Sequence, residues 1–458
     1  MTALDFIARG RAAQQRSSAR RLATIGNLAR SIERNAQTGL PGVMSSPPII
    51  GSVPGDSLPT ISGGKDYGFN AGDAASDSRH RFSFYGGPWA HSGTSGAHPY
   101  IMSAPLPPVH LGDGSDPTAG ATIGQAMNVR FYTEAAEFEI YFATASGFRV
   151  LVNGEFIKAG TFGNYTDLGI AVGQSRYQKI TFPATGPKFV ELQFDGSAIY
   201  FKGIRVPALY DVQPWPHPEP LRICNWGDSF VETISEDGAS AAELRAEAHG
   251  SSTLLMQMMT GQPDIWASGV GGTGFAADGS GTRSDFIERA PVDISPYGFD
   301  VLFDTGGRND DLTQAEMEAL AAEFIDICLA SNPDMIIAMT GPCPRGSGEA
   351  YSANASFAAA QDGKRAACAR YPANCLFIET LGNAEIDDPW FFGTGRQGDE
   401  ASDGNADLFT GADGIHRTLA GHRHFTTRLL RETARRLPLL ASRIRDGVIA
   451  GVNDTDIA

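Results

Sequence analysis

A proline-rich segment at residues 213–220 constrains the fold of this chain more than any other feature. Four of its eight residues are prolines, which fix the backbone angle φ and lack the N–H that helices and sheets require. Apolar and polar residues alternate in several stretches before this segment, whereas apolar runs alternate with helical patterns after it. The segment is therefore the predicted linker between two globular domains, a number that 458 residues can accommodate.

Residues 79–212 carry the pattern of an antiparallel β-sandwich of the jelly-roll kind. Phe138, Ile140 and Phe142 fall on one face of a strand, because successive side chains of a strand point to opposite faces. The dipeptide Asn153-Gly154 is typical of the tight turn in a β-hairpin. Short alternating strands separated by such turns predict two packed antiparallel sheets.

Residues 221–440 carry the pattern of an α/β domain. Predicted apolar strands alternate with predicted helices, which indicates a parallel sheet covered by helices on both faces. The predicted strands are 221–224, 265–267, 301–303, 335–339 and 376–378, and the predicted helices are 241–259, 313–330, 356–370 and 418–436. Sheets of this type bind ligands at the carboxyl ends of their strands. Residues 441–458 are predicted to be a C-terminal tail.

The N-terminal 36 residues form a predicted amphipathic helix with many arginines. Leu22, Ile25, Ala29 and Ile32 recur at a spacing of three and four residues, which makes one apolar stripe. The stripe fits a helix packed on its own protein or on a second copy, an anchor into a larger assembly such as a virus particle, or an organelle-targeting segment. Residues 37–78 are rich in Pro, Gly and Ser and are predicted to be an arm or linker.

Composition argues against several classes of partner. The net charge of −16 disfavours general affinity for nucleic acid, because phosphate contacts require clustered Lys and Arg. No apolar run approaches the roughly 20 residues of a membrane span. No secretory signal is visible either, so the sequence leaves the localisation unknown. The five cysteines lack metal-like spacing and are predicted to be buried thiols.

Four short motifs stand near the ends of predicted elements, where chemistry is expected. They are Gly227-Asp228-Ser229-Phe230, the glycine-rich stretch 268–274, Gly307-Arg308-Asn309-Asp310, and Asp413-Gly414-Ile415-His416. A serine hydroxyl, an imidazole and a carboxylate are the three groups that nucleophilic acyl transfer requires. Three of the four motifs have an ordinary explanation when each is taken alone. The first is a common turn, Asn309 could cap the helix near Thr313, and the last motif could precede a helix capped by Thr418.

In this order the four motifs resemble those of the SGNH (GDSL) hydrolase family, over about residues 221–436. The resemblance implies a three-layer, flavodoxin-like α/β/α domain that hydrolyses esters without a metal or cofactor. It implies Ser229 as nucleophile, His416 as base and Asp413 as the residue that orients the imidazole. The implied oxyanion hole consists of the Ser229 N–H, a glycine N–H and the Asn309 side chain. The expected glycine is Gly271, although Gly272 also fits. Asp228 is expected to bond within its turn.

The loop between residues 386 and 413 leads directly to Asp413. Trp390 and Phe391 could form an exposed aromatic cluster that stacks on a sugar ring or holds an acyl group, and this is the predicted substrate-binding site. They could equally hold a long loop against the core. The acidic run 399–407 could ligate calcium, although its spacing is not that of an EF-hand. His422 and His424, on the final helix, are predicted to be solvated.

The resemblance also suggests a substrate. Many family members with a β-sandwich before the catalytic domain are carbohydrate esterases, which implies removal of acetyl groups from a polysaccharide. The sandwich would then be a binding module or a lid, and the N-terminal helix would attach the protein to copies of itself or to a phage particle. The alternatives are a lipase, thioesterase or acyltransferase with the same triad, and a structural or binding protein with an inactive hydrolase domain.

Overall fold

The computed structural model describes most of both domains. The described residues are 3–38, 41–51, 59–68, 79–87, 89–91, 100–102, 126–143, 148–157, 176–195, 200–215, 220–232, 252–279, 283–386, 388–399 and 403–446. Most of the predicted 441–458 tail, four residues of the proline-rich linker, and parts of the 37–78 arm lie outside this set. None of the described helices combines the length and the apolar composition that a membrane span requires.

The N-terminal residues form one long helix, α1 (Ala3–Thr38), that packs on its own protein. Ile25, Leu28 and Ile32 are buried in the core of the second domain, and Leu22 and Ala29 pack against the same core. Burial of each large side chain contributes about 1.5–3 kcal/mol. The predicted apolar stripe is confirmed. It is used within the chain, so it gives no reason to expect contact with another copy.

The first domain is an antiparallel β-sandwich, as predicted. One sheet has the order β1-β10-β7-β12-β5-β4, with β2 beside β12, and the other has the order β3-β6-β11-β8-β9. The strands are β1 (Ile49–Gly51), β2 (Lys65–Gly68), β3 (Ser83–Tyr85), β4 (Trp89–His91), β5 (Tyr100–Met102), β6 (Ala126–Thr133), β7 (Glu137–Ala143), β8 (Phe148–Val152), β9 (Glu155–Phe156), β10 (Arg176–Thr181), β11 (Lys188–Asp195) and β12 (Tyr200–Val206).

The alternating pattern of β7 produces the core of the sandwich. Phe138, Ile140 and Phe142 are fully buried between the sheets. Glu139, on the other face, is buried as well, because the arm covers it and the Thr60 N–H donates to its carboxylate at 2.6 Å. Asn153-Gly154 does join β8 to β9, and positive φ angles of 53° and 84° at these two residues fit a tight hairpin turn.

The second domain is built on a five-stranded, all-parallel sheet of order β14-β13-β15-β16-β17. Helices pack on it, and every strand residue is buried, as expected for a parallel sheet covered on both faces. The strands are β13 (Ile223–Gly227), β14 (Ile265–Gly269), β15 (Val301–Asp304), β16 (Ile336–Thr340) and β17 (Cys375–Ile378). The described helices are α2 (Ser229–Glu232), α3 (Ser252–Thr260), α4 (Phe286–Asp293), α5 (Gln314–Ser331), α6 (Ala355–Ala369), α7 (Ala406–Phe409) and α8 (Leu419–Asp446). All five cysteines are buried free thiols.

Helix α8 is longer than predicted. It was expected over 418–436, but it begins at Leu419 and continues to Asp446, because Leu440 and Ile444 prolong its buried face. The helix expected over 241–259 is helical from Ser252 to Thr260, and 241–251 lies outside the described residues.

The sandwich contacts the second domain near the amino end of β14. The Gly86 N–H donates to Asp264 (3.0 Å), and the Asn128 amide donates to the carbonyl of Pro263 (3.0 Å). Both acceptors immediately precede β14. The motif residue Ser229 lies at the opposite, carboxyl end of the sheet, so these contacts give no support to the sandwich as a lid.

Candidate active site

Segments that are distant in the sequence meet at the carboxyl end of the parallel sheet. Ser229 is the first residue of α2, just beyond β13, and 8% of its surface is exposed. Its hydroxyl lies 2.8 Å from Nε2 of His416, and Nδ1 of the same ring lies 2.7 Å from Oδ2 of Asp413. The structure therefore brings Ser229, His416 and Asp413 into one hydrogen-bonded chain.

Asp413 fixes both the orientation and the tautomer of His416. Its Oδ1 atom accepts the backbone N–H groups of Ile415 (2.9 Å) and His416 (3.0 Å), which leaves Oδ2 to face the ring. An ionised carboxylate can only accept hydrogen bonds, so the ring proton belongs on Nδ1. Nε2 is then the basic nitrogen, directed at the Ser229 hydroxyl.

A buried carboxylate that the sequence did not reveal joins the His416 loop to the loop after β15. Glu349 pairs with Arg308 (2.7 Å) and with Arg345 (2.5 Å). Arg308 belongs to the third motif, and Arg345 donates to the carbonyl of Gly414 at 3.3 Å. A single acidic residue in a loop carries no spacing signal, so Glu349 could be recognised only after folding.

Asp228 bonds within its own turn, as expected, and the carboxylate that contacts the His416 ring is that of Asp413. It is buried, and its Oδ1 accepts the N–H of Phe230 at 3.0 Å. Burial raises the pKa of the Asp228 carboxyl, while the Phe230 N–H and the cations Arg308 and Arg417 act in the opposite direction.

Asn309 is held at the edge of the glycine-rich loop. Its Nδ2 donates to the carbonyl of Thr273 at 2.9 Å. The neighbouring Asp310 is buried and accepts the N–H groups of residues 275–277 at 2.9–3.1 Å. These bonds tie the third motif to the second. A side-chain amide has two N–H groups, so Asn309 has a second donor for a ligand.

The capping alternatives can now be decided. Thr313 caps α5 with a complete capping box, so the interpretation of Asn309 as the cap of that helix is wrong. Thr418 does cap α8, and its hydroxyl accepts a first-turn N–H at 3.0 Å. Asp413 and His416 precede this cap and bond to each other.

The preference for Gly271 over Gly272 as oxyanion donor is not supported. The Gly271 N–H donates to the carboxylate of Glu232, which is buried beside it. That N–H therefore has a partner within the protein. Gly272, at φ 77°, is the next residue of the same turn and the other glycine that fits the motif.

Comparison with known proteins agrees with this architecture. No protein-family model and no curated protein sequence matches the chain. Among solved structures, a family two carbohydrate esterase from Cellvibrio japonicus matches with a TM-score of 0.52 over 83% of this chain and 99% of its own, at 13% identity. The salicylyl-acyltransferase SsfX3 from a tetracycline biosynthetic pathway matches with a TM-score of 0.51 over 82% and 98%, at 14% identity. The chain has the fold of an SGNH hydrolase.

The predicted substrate-binding aromatics are part of the core of the second domain. Trp390 is 2% exposed and Phe391 is 1% exposed. Trp390 packs edge-on against Phe425 of α8, with ring centroids 5.1 Å apart. The expectation of an exposed sugar platform is therefore wrong, and the two rings hold the loop against the core. In contrast to these two rings, the apolar side chain of Ile415, next to His416, is 41% exposed.

The prediction that His422 and His424 are solvated is also wrong. His422 is 4% exposed, and burial lowers its pKa well below the ordinary value for histidine. His424 stacks on Phe409 with centroids 4.6 Å apart, and burial lowers its pKa too. His422 lies on the face of α8 that carries the buried Phe425. His424, two residues later, points to a different side of the helix and is half-buried, where its Nε2 lies 3.0 Å from the carbonyl of Trp390.

The acidic run stabilises turns in the part that the structure describes. Asp403 accepts the N–H of Thr394 (2.7 Å), and Asp399 accepts the N–H of Arg396 (3.1 Å). Glu400 lies outside the described residues. Within the described ranges, no group of His, Cys, Asp and Glu side chains could hold a metal ion, so calcium binding gains no support.

Proposed function

We propose that this protein is a serine esterase that acts through an acyl-enzyme. The observation that carries the proposal is the hydrogen-bonded chain from the Ser229 hydroxyl through His416 to Asp413, at the end of the sheet where such folds bind ligands. The side chains of His416 and Asp413 are 14% and 20% exposed, so solvent reaches the hydrogen-bonded chain.

The first half-reaction forms the acyl-enzyme. The Ser229 Oγ attacks the ester carbonyl carbon while His416 Nε2 takes its proton, and the Asp413 carboxylate stabilises the resulting imidazolium. The tetrahedral intermediate then collapses and the alcohol leaves with the proton from Nε2. The acyl group remains on Ser229.

The negative charge on the tetrahedral oxygen requires preorganised donors. The proposed donors are the Ser229 N–H, the Gly272 N–H and the second N–H of the Asn309 amide. The bonds from Asn309 and Asp310 to the glycine-rich loop support this set, because they hold the two motifs together before substrate binds.

The second half-reaction returns the enzyme to its starting state. Water takes the position of the departed alcohol, His416 Nε2 removes its proton, and the hydroxide attacks the acyl carbonyl. The same donors stabilise the second tetrahedral intermediate. Its collapse releases the acid and returns the proton to Ser229.

The favoured substrate class is an O-acetylated carbohydrate. This choice rests on the fold shared with a family two carbohydrate esterase, over nearly the whole length of that protein. The net charge of −16 also favours a neutral polymer over an anionic one. Helix α1 packs on its own protein and so provides no reason to place the chain in a virus particle.

A substrate panel tests the proposal. Wild-type protein and Ser229→Ala are incubated with acetylated polysaccharides and with aryl esters of increasing acyl length, and the released acid is quantified. We expect acetate from the glycans, a rate on aryl esters that falls with chain length, and no turnover by Ser229→Ala. A preference for long acyl chains would instead indicate a lipase or thioesterase. No release from any ester would favour a binding role.

An acyltransferase is the second candidate, because the fold of a salicylyl-acyltransferase matches almost equally well. The two activities share the acyl-enzyme and differ in the group that attacks it. Competing alcohols added to the aryl ester assay distinguish them. New ester as the main product identifies a transferase, whereas free acid at all alcohol concentrations identifies a hydrolase.

A further inference from the structure

We propose that Arg283 and Glu232 are positioning residues that hold the turn after β14 so that the Gly272 N–H faces the reacting oxygen. The inference rests on the proposed function, since it concerns the oxyanion hole of that site. Neither residue belongs to the four motifs, and neither was predicted from the sequence.

The turn has a defined geometry that depends on one peptide group. The Thr273 N–H and hydroxyl both donate to the carbonyl of Val270, at 3.3 and 2.7 Å, which closes a four-residue turn. Gly272 has φ 77°, the value expected for the third residue of a type II turn. The central peptide, between Gly271 and Gly272, is therefore in the type II orientation.

This central peptide needs an external restraint. Type I and type II turns differ by the orientation of that one peptide, and glycine at both central positions tolerates either form. In a trans peptide the C=O and the N–H point in opposite directions. A flip would therefore turn the Gly272 N–H from one side of the loop to the other.

Arg283 binds the carbonyl that a flip would move, and Glu232 anchors the peptide before it. Arg283 Nη1 donates to the carbonyl of Gly271 at 2.7 Å, so the Gly272 N–H of the same peptide must point away from Arg283. The carboxylate of Glu232 accepts the N–H of Gly271 and fixes the preceding peptide. A cation on the carbonyl also polarises the peptide, which makes the Gly272 N–H a stronger donor.

The surrounding chain is built to bring Arg283 to this position. The Gly279 N–H donates to the Arg283 carbonyl at 3.0 Å. A Cβ atom at Gly279 would lie 2.8 Å from the Arg283 Cβ and 2.9 Å from the Gly271 carbonyl oxygen, so only glycine allows the close approach. Glu232 is buried, and its charge is partly compensated by Arg283.

The test measures turnover and transition-state affinity together. We expect Arg283→Gln to lower kcat on an aryl acetate about 10- to 100-fold, less than the loss of a whole donor, with KM unchanged. Affinity for benzeneboronic acid, which forms a tetrahedral adduct with a serine hydroxyl, should fall by a similar factor. Arg283→Lys, which keeps a cationic donor, should recover part of both. Arg365→Gln is the matched control, because Arg365 is a partly buried arginine that pairs with Asp362 and Glu379 instead.

Two results would overturn the inference while leaving the esterase proposal intact. One is wild-type turnover in a folded Arg283→Gln variant. The other is a loss of turnover with unchanged boronate affinity. If Arg283→Gln does not fold, Gly279→Ala replaces it, since the added methyl group displaces the Arg283 side chain, and the same two measurements apply. Failure of the wild-type protein to hydrolyse any aryl ester would refute the proposed function itself.

Discussion

Replacement of Asp413 by Asn should reverse the tautomer of His416 and thereby remove its basic nitrogen from Ser229. The Oδ1 atom of Asp413 accepts two backbone N–H groups, at 2.9 and 3.0 Å. An asparagine must keep its oxygen there, which places its NH₂ group against Nδ1 of the ring. Nδ1 then becomes an acceptor and the ring proton moves to Nε2, where it faces the Ser229 hydroxyl.

The size of the effect follows from those two backbone bonds. Rotation of the amide would restore the productive tautomer but would remove the acceptor from both N–H groups. The cost is about 1–3 kcal/mol for the part-buried His416 N–H and about 0.5–1.5 kcal/mol for the exposed Ile415 N–H, which water can reach. The total of about 1.5–4.5 kcal/mol limits the productive population to between roughly one in 10 and one in 2000. We therefore expect Asp413→Asn to lower kcat by at least about 10-fold, and by as much as about 2000-fold, with little change in KM.

Two measurements check this expectation. Steady-state hydrolysis of an aryl acetate gives kcat and KM, and two-bond ¹H–¹⁵N correlation of the His416 ring identifies the protonated nitrogen. Asp399→Asn is the control, because Asp399 also accepts a loop N–H, that of Arg396, but does not face the ring. Turnover of Asp413→Asn within threefold of wild type, or loss of turnover with the proton still on Nδ1, would refute the reasoning.

Three further outcomes are expected. Asn309→Ala should lower kcat about 100- to 1000-fold at constant KM if its amide is an oxyanion donor, and a loss below tenfold would exclude that role. Trp390→Ala should lower the free energy of unfolding by about 3–5 kcal/mol in urea titrations, because the ring is buried. A stable variant with a raised KM for acetylated glycan would instead restore the substrate-binding interpretation. Below about pH 6.5 the unfolded chain protonates His422 while the buried ring stays neutral, so stability should fall by up to about 1.4 kcal/mol per pH unit. His422→Gln should reduce this slope in urea titrations from pH 7 to 5, the exposed His80→Gln should not, and equal slopes in both variants would contradict the assignment.

The strands of the second domain could be predicted well from the sequence because they are buried inside the domain. A central parallel strand is buried on both faces, so β15 and β16 appear in the sequence as short apolar runs. The ends of the helices were harder to predict from the sequence. Leu440 and Ile444 extend the buried face of α8, and their contribution depends on contacts that only the folded chain defines.

The candidate site was predictable to the extent that motif order reflects position on the sheet. Recognisable strands and helices precede or follow Ser229, Asp413 and His416. Their side chains could therefore be expected to lie close together. The direction of a peptide group or a ring could not. Gly271 turns its N–H to Glu232, and Trp390 turns its ring to the core, and both depend on partners distant in the sequence.

The most direct test of the proposed chemistry is the mass of the protein during turnover. Wild-type protein is mixed with an aryl acetate, quenched in acid within milliseconds and digested. The mass of the peptide that contains Ser229 is then measured by mass spectrometry. Formation of the acyl-enzyme predicts an added acetyl group on that peptide, in step with a burst of released phenol, and neither signal in Ser229→Ala. Steady turnover without an adduct, and retained by Ser229→Ala, would contradict the assignment of Ser229 as the nucleophile.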